Sequence, residues 1–434
     1  MAFTLLATSD LHLGRRSSGL PDNSPLASAT TTWQRIVQLC QDRNIDAVLI
    51  AGDVIDEEND FFESIGPLVS GFTTLAEQQI PTYLVSGNHD YNVLSEAVRQ
   101  VDSEWIMLMG QNGKWQIDTL ELNRSILQIA GRSFAGTTQE TDPLTDFPSD
   151  KIDPDLPSIG LVHGEVEQPE SIYGPIDRDR LIDSRLDAWV IGHIHKPRIL
   201  RKKNPLICYP GSPHAFSASE KDDHGPWIFK IREDRSINTE HVSLSPIRYE
   251  DIEIDVSDIE SKDEFRDTIR TRLTEFVDQI TPSLDQVHHL IFDVWIVGST
   301  GYAQLFEGWG NELNGYSEEV PGTDLIFSVR KVKYNFSPSL DGLEEMIGQD
   351  NPAALLAEML VSLRKGEDHE LVDEMMDQWK LEMDRINRSD IFRPLMNHNG
   401  QIPPNEGEAR NYLEKECEKL LLKLFSQQDQ REGA

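Results

Sequence analysis

Residues 3–12, Phe-Thr-Leu-Leu-Ala-Thr-Ser-Asp-Leu-His, pass from an apolar strand pattern directly into two metal-binding side chains, Asp10 and His12. An apolar run that ends on an acid and a histidine puts those groups at the carboxyl end of a buried strand, where ligands collect in open sheets. The arrangement recurs. Gly52-Asp53 follows the run 47–51, Gly87-Asn88-His89-Asp90 follows 82–85, His163-Gly164 follows 159–162, and Gly192-His193-Ile194-His195 follows 188–191. Five strand ends converging on one rim would gather Asp10, His12, Asp53, Asn88, His89, His163, His193 and His195.

These side chains have a common chemistry. Asp and Asn offer hard oxygens and neutral imidazoles offer nitrogen, a mixture that suits Mn²⁺, Fe or Zn²⁺ better than Ca²⁺; the lack of cysteine argues against a structural zinc. Two metals about 3.5–4 Å apart need a ligand that touches both. Asp53 is the natural bridge, since it ends the second strand between the first and third blocks. The blocks read as a two-metal site for phosphoester hydrolysis.

In order and spacing the five blocks resemble the calcineurin-like metallophosphoesterase superfamily, over about residues 1–215. The resemblance implies a four-layer fold of two stacked mixed sheets flanked by helices. It implies that Asp10, His12, Asp53 and His195 hold one metal, and that Asp53, Asn88, His163 and His193 hold the other. His89 would face the scissile phosphate and serve catalysis, and Asp90 would orient it. Within the superfamily, Ala-Thr-Ser-Asp-Leu-His-Leu-Gly (7–14) and Tyr-Pro-Gly-Ser-Pro (209–213) are similar to the DNA double-strand-break repair nuclease branch, the SbcD type. Asp56 stands where that branch often carries a histidine, and Ala7-Thr8 replaces its Ser/Thr-His opening; both departures point toward the YhaO-like exonucleases.

Along the chain, residues 1–245 alternate strand and helix, with helices near 27–42 and 60–79 and a hairpin across 226–243, and form the phosphoesterase domain. Residues 246–336 read as a small α+β capping domain. Its helix carries Phe265, Ile269, Leu273, Phe276 and Ile280, and strands lie at 289–298 and 324–333. Residues 337–434 are a helical C-terminal region. Its stripes are Leu356, Met359, Leu360 and Leu363; Val372, Met375, Met376, Trp379 and Met383; and, after a break at Pro403-Pro404, Leu413, Cys417, Leu420, Leu421 and Leu424. Such stripes are buried faces or a docking surface for a partner. By the resemblance that partner is an SbcC-like coiled-coil ATPase, and the chain forms a homodimer.

The chain has 434 residues and a net charge of −35, an acidic bias shared by both halves. That charge fits a solvated surface or salt adaptation and opposes strong DNA binding by this chain alone. No apolar run reaches the roughly 20 residues of a membrane span. Cys40, Cys208 and Cys417 stand outside any metal motif and read as reduced thiols of a cytoplasmic protein. His214, His224, His241, His288, His289, His369 and His398 read as structural histidines, and Asp56 with the acids after it as a solvated helix start. Arg15 and Arg16 are either phosphate grips or solvated loop residues; the residues that bind substrate are otherwise unassigned.

The sequence thus points to a Mn²⁺-dependent DNA exo- or endonuclease subunit of double-strand-break repair. A stand-alone phosphodiesterase or phosphatase on a nucleotide or small substrate is the first rival. A DNA-tethering scaffold without catalysis is the second, and it has no need for all eight groups.

Overall fold

The apolar runs before the blocks form strands whose two faces are both covered, which is why they lack polar alternation. In the computed structural model, which describes residues 3–21, 23–56, 61–122, 125–299, 303–337, 340–387 and 405–432, the first half opens with β1 (Phe3–Thr8), α1 (Ala29–Asp42), β2 (Ala47–Ala51), α2 (Phe61–Glu77), β3 (Thr82–Val85), α3 (Leu94–Val101) and β4 (Ile106–Leu108). It continues through β5 (Gln116–Leu122), β6 (Ser125–Arg132), β7 (Ser158–His163), β8 (Glu165–Val166), β9 (Pro175–Ile176), α4 (Arg178–Asp183), β10 (Ala188–Gly192), β11 (Arg198–Lys202) and β12 (Leu206–Tyr209). The hairpin strands β13 (Trp227–Ile231) and β14 (Ile237–His241) complete it.

Two six-stranded mixed sheets result, ordered β14-β13-β1-β2-β3-β4 and β11-β12-β10-β7-β6-β5. In the first, β1, β2, β3 and β4 are mutually parallel and β13 is antiparallel to β1. In the second, β6, β7, β10 and β12 are parallel, with β5 and β11 antiparallel at the edges. Alternate residues face one another between the sheets: Leu5, Ala7, Leu49, Tyr83 and Val85 from one, Leu127, Ile159, Leu161, Val190 and Cys208 from the other. Each fully buried Val or Leu there contributes about 1.5–3 kcal/mol.

The outward residues of the first sheet, Leu6, Val48, Ile50 and Leu84, pack under α1, α2 and α3. Helix α1 does this with Trp33, Ile36, Val37 and Cys40, at offsets of three, four and seven, and the Ser28 side chain caps its start by accepting from Thr30 N–H. Outside the second sheet the cover is thinner. Trp189, Ile191 and Ile207 meet Leu181 of the short α4 and the loop residues Leu144 and Ile152. The four-layer arrangement is the expected one, with the outer layer on that side built largely of loop.

Downstream lie β15 (Ile247–Asp255), α5 (Lys262–Ile280), β16 (His289–Ser299), α6 (Ala303–Asn311), β17 (Ser317–Glu319) and β18 (Ile326–Ser337), whose strands form a sheet ordered β15-β16-β18-β17. Helix α5 buries Phe265, Ile269 and Leu273 as anticipated, with Val277 rather than Phe276 completing the stripe. Next come α7 (Leu340–Met346), α8 (Pro352–Lys365), α9 (Glu370–Asn387) and α10 (Glu406–Glu432). Their stripes pack on each other: Met359, Leu360, Val372, Met376, Cys417 and Leu421 form one core. Met375 and Leu420 stay exposed. The break at Pro403-Pro404 and His398 lie outside the described residues.

The chain divides into two compact units, Met1–Ile252 with Glu275–Asp293 and Asn314–Lys331, and Glu253–Thr274 with Val294–Leu313 and Val332–Ala434. Among the described residues no helix is long and apolar enough to cross a membrane. All three cysteines are buried free thiols.

Candidate active site

The loops after β1, β2, β3, β7 and β10 are laced together by backbone bonds. Asp10 N–H donates to Gly52 O at 2.9 Å, and His12 N–H to Asp53 O at 3.0 Å. Asp53 Oδ1 accepts His89 N–H at 3.0 Å, and Asp10 Oδ1 accepts His193 N–H at 2.9 Å. Such close crossing demands residues without side chains: a Cβ on Gly87 would lie 2.1 Å from Asp53 Oδ1, and one on Gly192 would lie 1.9 Å from Ala51 O. The glycines of the blocks are there for space.

All eight side chains meet. His163 Nε2 lies 3.3 Å from Asp53 Oδ2 and 3.2 Å from Asn88 Oδ1. His12 Nε2 lies 3.9 Å from that same Asp53 oxygen and 3.1 Å from His195 Nε2. The ring of His89 stands edge-on to His12 with centroids 4.9 Å apart. Three groups bring their ligand atoms within 4.8 Å of one another: Asp10, His12 and His195; Asp53, His163 and His193; and His12, Asp56 and His89. Four of these residues hold a left-handed backbone, with φ of 51° at Asp10, 42° at His12, 51° at Asp53 and 96° at His193. Each such non-glycine residue costs about 1–3 kcal/mol, and such strain clusters where geometry serves function.

Burial falls unevenly. Asp10, His12, Asp53 and His163 are buried, while the side chains of His89, His193 and His195 keep 34%, 17% and 24% of their exposure. The site opens to solvent past these three histidines.

The charges are strongly displaced. Burial raises Asp10 above the ordinary carboxylate range. Burial would raise Asp53 too, but His163, His12 and His89 overcome it and hold Asp53 well below that range. Burial presses His163 down, yet Asp53 outweighs it and lifts the imidazole to about 9. His12 and His193, desolvated and beside other imidazoles, are pushed down to about 3. His89 is raised, first by its bond to Asp56.

The donors fit a pair of divalent cations. Asp10 Oδ2 is buried with no hydrogen-bond partner, although a carboxylate oxygen can accept two. The two Nε2 atoms of His12 and His195 confront each other at 3.1 Å, and His195 has its Nδ1 proton committed to Glu220 Oε1 at 2.7 Å. Two imidazole lone pairs at that distance require a proton or a cation between them. With oxygen and nitrogen donors and no thiolate, a hard or borderline divalent ion fits.

Several functional neighbours were not evident in the sequence. Asp56, expected as a solvated helix start, is 4% exposed, its oxygens 3.6 Å from His89 Nδ1 and 3.9 Å from His12 Nδ1. A spacing of three from Asp53 was the available signal. Asp90 Oδ2 accepts Val54 N–H at 2.6 Å and Asp90 Oδ1 accepts Gly87 N–H at 2.8 Å, so this carboxylate ties the two loops together, and the group facing the His89 ring is Asp56. Burial and then Asp53 raise Asp90 to about 7. Glu220 behind His195 and Glu165, 3.4 Å from His193 Nε2, carried no sequence signal. Arg15 lies with its guanidinium 4.7 Å from the Phe216 ring centroid, and that ring is 6.0 Å from His12 and 6.3 Å from His195. His214 and His224 are buried structural histidines, as anticipated.

Residues 3–197 match the family described as calcineurin-like phosphoesterase. They form a calcineurin-like phosphoesterase domain. Among its relatives is the uncharacterized metallophosphoesterase YhaO of Bacillus subtilis (strain 168), 24% identical over 272 residues, 59% of this chain and 64% of YhaO. A DNA double-strand break repair protein Mre11 of Methanosarcina mazei is 24% identical over 50% of this chain and 34% of its own length. The SbcD component of the Bacillus subtilis nuclease SbcCD is 24% identical over 50% of this chain and 63% of its own length. The chain thus spans less than two thirds of each of these relatives.

Proposed function

We propose that this phosphoesterase hydrolyses DNA phosphodiesters as the nuclease subunit of a double-strand-break repair assembly. One observation carries the two-metal reading: Asp53 Oδ2 lies within 3.3 Å of His163 and 3.9 Å of His12, so one carboxylate faces both ligand groups. Asp10, His12, Asp53 and His195 would hold one cation, and Asp53, Asn88, His163 and His193 the other, Mn²⁺ being the first candidate. When bound, the pair neutralises phosphate oxygens and lowers the pKa of water.

The chain's own groups do the rest. His89 turns Nδ1 toward Asp56, which leaves Nε2 to hold a proton for the leaving oxygen. Asp90 keeps the Asp53 and His89 loops in register and acts by position. Arg15, seated on Phe216 beside the ligand histidines, supplies a cation for the substrate's phosphate oxygens.

The relatives named for DNA double-strand-break repair and for the nuclease SbcCD favour DNA as substrate. A net charge of −35 favours a partner that supplies the DNA grip. An SbcC-like coiled-coil ATPase docked on the C-terminal helices, with the phosphoesterase working as a homodimer, meets that need. We accordingly keep residues 1–245 as the nuclease domain, 246–336 as a capping domain facing DNA and 337–434 as the docking region. The test is degradation of linear double-stranded DNA with Mn²⁺ beside a small diester, with His89→Ala as control and the assay repeated with the ATPase. Hydrolysis of the diester alone, with and without the ATPase, would move the acidic surface to the centre and favour a stand-alone phosphodiesterase.

A further inference from the structure

His195 is gripped twice by the segment that follows β12. Its carbonyl oxygen accepts the Ser212 N–H at 2.9 Å, and its ring Nδ1 lies 2.7 Å from Glu220 Oε1. Glu220 is itself fixed. Its Oε2 accepts the Phe216 N–H at 2.6 Å, and its own N–H donates to Ser217 O at 2.9 Å. The segment can pass this close because its turn uses glycine: Gly211 has φ 78°, and a Cβ there would lie 2.5 Å from His195 O. The stretch from Tyr209 to Glu220 therefore sets both the backbone and the ring of His195.

A carboxylate at 2.7 Å claims the Nδ1 proton and leaves the lone pair on Nε2, the atom that faces His12 Nε2 at 3.1 Å. The other ligand group uses a different device. There His163 Nδ1 donates to the backbone oxygen of Ala51 at 2.9 Å. At His163 that partner is backbone, which substitution leaves in place, whereas at His195 it is a side chain that substitution can remove.

We propose that Glu220 is a positioning residue for the Asp10–His12–His195 metal position: it holds the Nδ1 proton of His195, aims Nε2 at the cation, and leaves the Asp53–His163–His193 position unaffected. This rests on the two-metal reading above. A carboxylate behind a ligating imidazole is worth about 10- to 100-fold in metal affinity.

The test is calorimetric titration of the metal-free full chain with Mn²⁺, with bound metal counted by mass spectrometry. Wild type should take up two ions. Glu220→Gln keeps an oxygen for the Phe216 N–H but loses the charge, and should bind one ion as before and the other about 10- to 100-fold more weakly. Glu220→Asp should recover part of the loss. Unchanged binding at both positions, or equal loss at both, overturns the proposal. Wild type that binds no Mn²⁺ sinks the two-metal reading and the proposal with it, so the two failures are distinguishable. If Glu220→Gln does not fold, the histidine ¹⁵N spectrum of the metal-free wild type decides: protonation of His195 at Nδ1 is expected, and at Nε2 alone it refutes the proposal.

Discussion

Asp56 faces two histidines at once: one oxygen lies 3.6 Å from His89 Nδ1 and the other 3.9 Å from His12 Nδ1. One carboxylate thereby couples the proposed acid to a proposed metal ligand. Asp56 is the first cause of the raised His89 pKa. An acid must be protonated to act, so the rate should fall as pH rises through that raised value. Asp56→Asn lowers the His89 pKa and should move the falling limb of kcat/KM to lower pH. His89→Ala should cost about 10²- to 10⁴-fold at pH below the His89 pKa and less above it. A pH–rate profile that Asp56→Asn leaves in place would count against this coupling.

Removing metal should abolish hydrolysis and lower the melting temperature, because Asp10 Oδ2 then stays buried without a partner. Mn²⁺ at a hundred times its Kd should return about 2.7 kcal/mol of stability. Asp53→Asn should lose both ions, since its Oδ2 faces both groups, and Asp10→Asn one. Calorimetry with metal analysis checks this; loss of a single ion in Asp53→Asn would show that Asp53 is no bridge.

Among the described residues no carboxylate pairs with Arg15, which rests on Phe216. Arg15→Ala should raise KM about 5- to 30-fold with kcat little changed, the range for one charged contact at a partly exposed site. Phe216→Leu, which removes the seat, should shift KM in the same direction. Steady-state kinetics on a diester substrate decide; a fall confined to kcat would remove Arg15 from substrate binding.

Gly160 in β7 has no room for a methyl group, because a Cβ would lie 2.2 Å from Trp189 Cζ3. Gly160→Ala should destabilise by about 1–3 kcal/mol, read as a lower urea midpoint at constant slope. Trp189→Leu should be costly alone but lessen the harm of Gly160→Ala, and a double-mutant cycle should show that coupling. Additive effects would mean the backbone, not the indole, sets the limit.

Burial pushes the Cys40 thiol up to about 12, and Cys208 and Cys417 are raised by burial as well. Thiolate is the reactive form. The native protein should therefore release almost no colour with a disulfide reagent near pH 8, and three equivalents in denaturant. Rapid reaction of one thiol in the native state would reveal local opening around it.

The sequence by itself determined the strands and the acids and histidines gathered at their ends. Runs such as Ala47–Ala51 and Ala188–Gly192 need burial on both faces, and each delivers its acid or histidine at its carboxyl end. Local order along the chain carries that information. Tertiary structure decided what stands behind those groups. Asp56 reads as a solvated acid until the β1 and β2 loops pair and close over it. Glu220 lies 25 residues from His195 in sequence yet 2.7 Å away in space. Asp90, next to His89 in the chain, turns instead to backbone N–H groups of the neighbouring loop. A side chain's partner is set by which strand ends the two sheets bring together, and periodicity in one chain segment cannot encode that meeting.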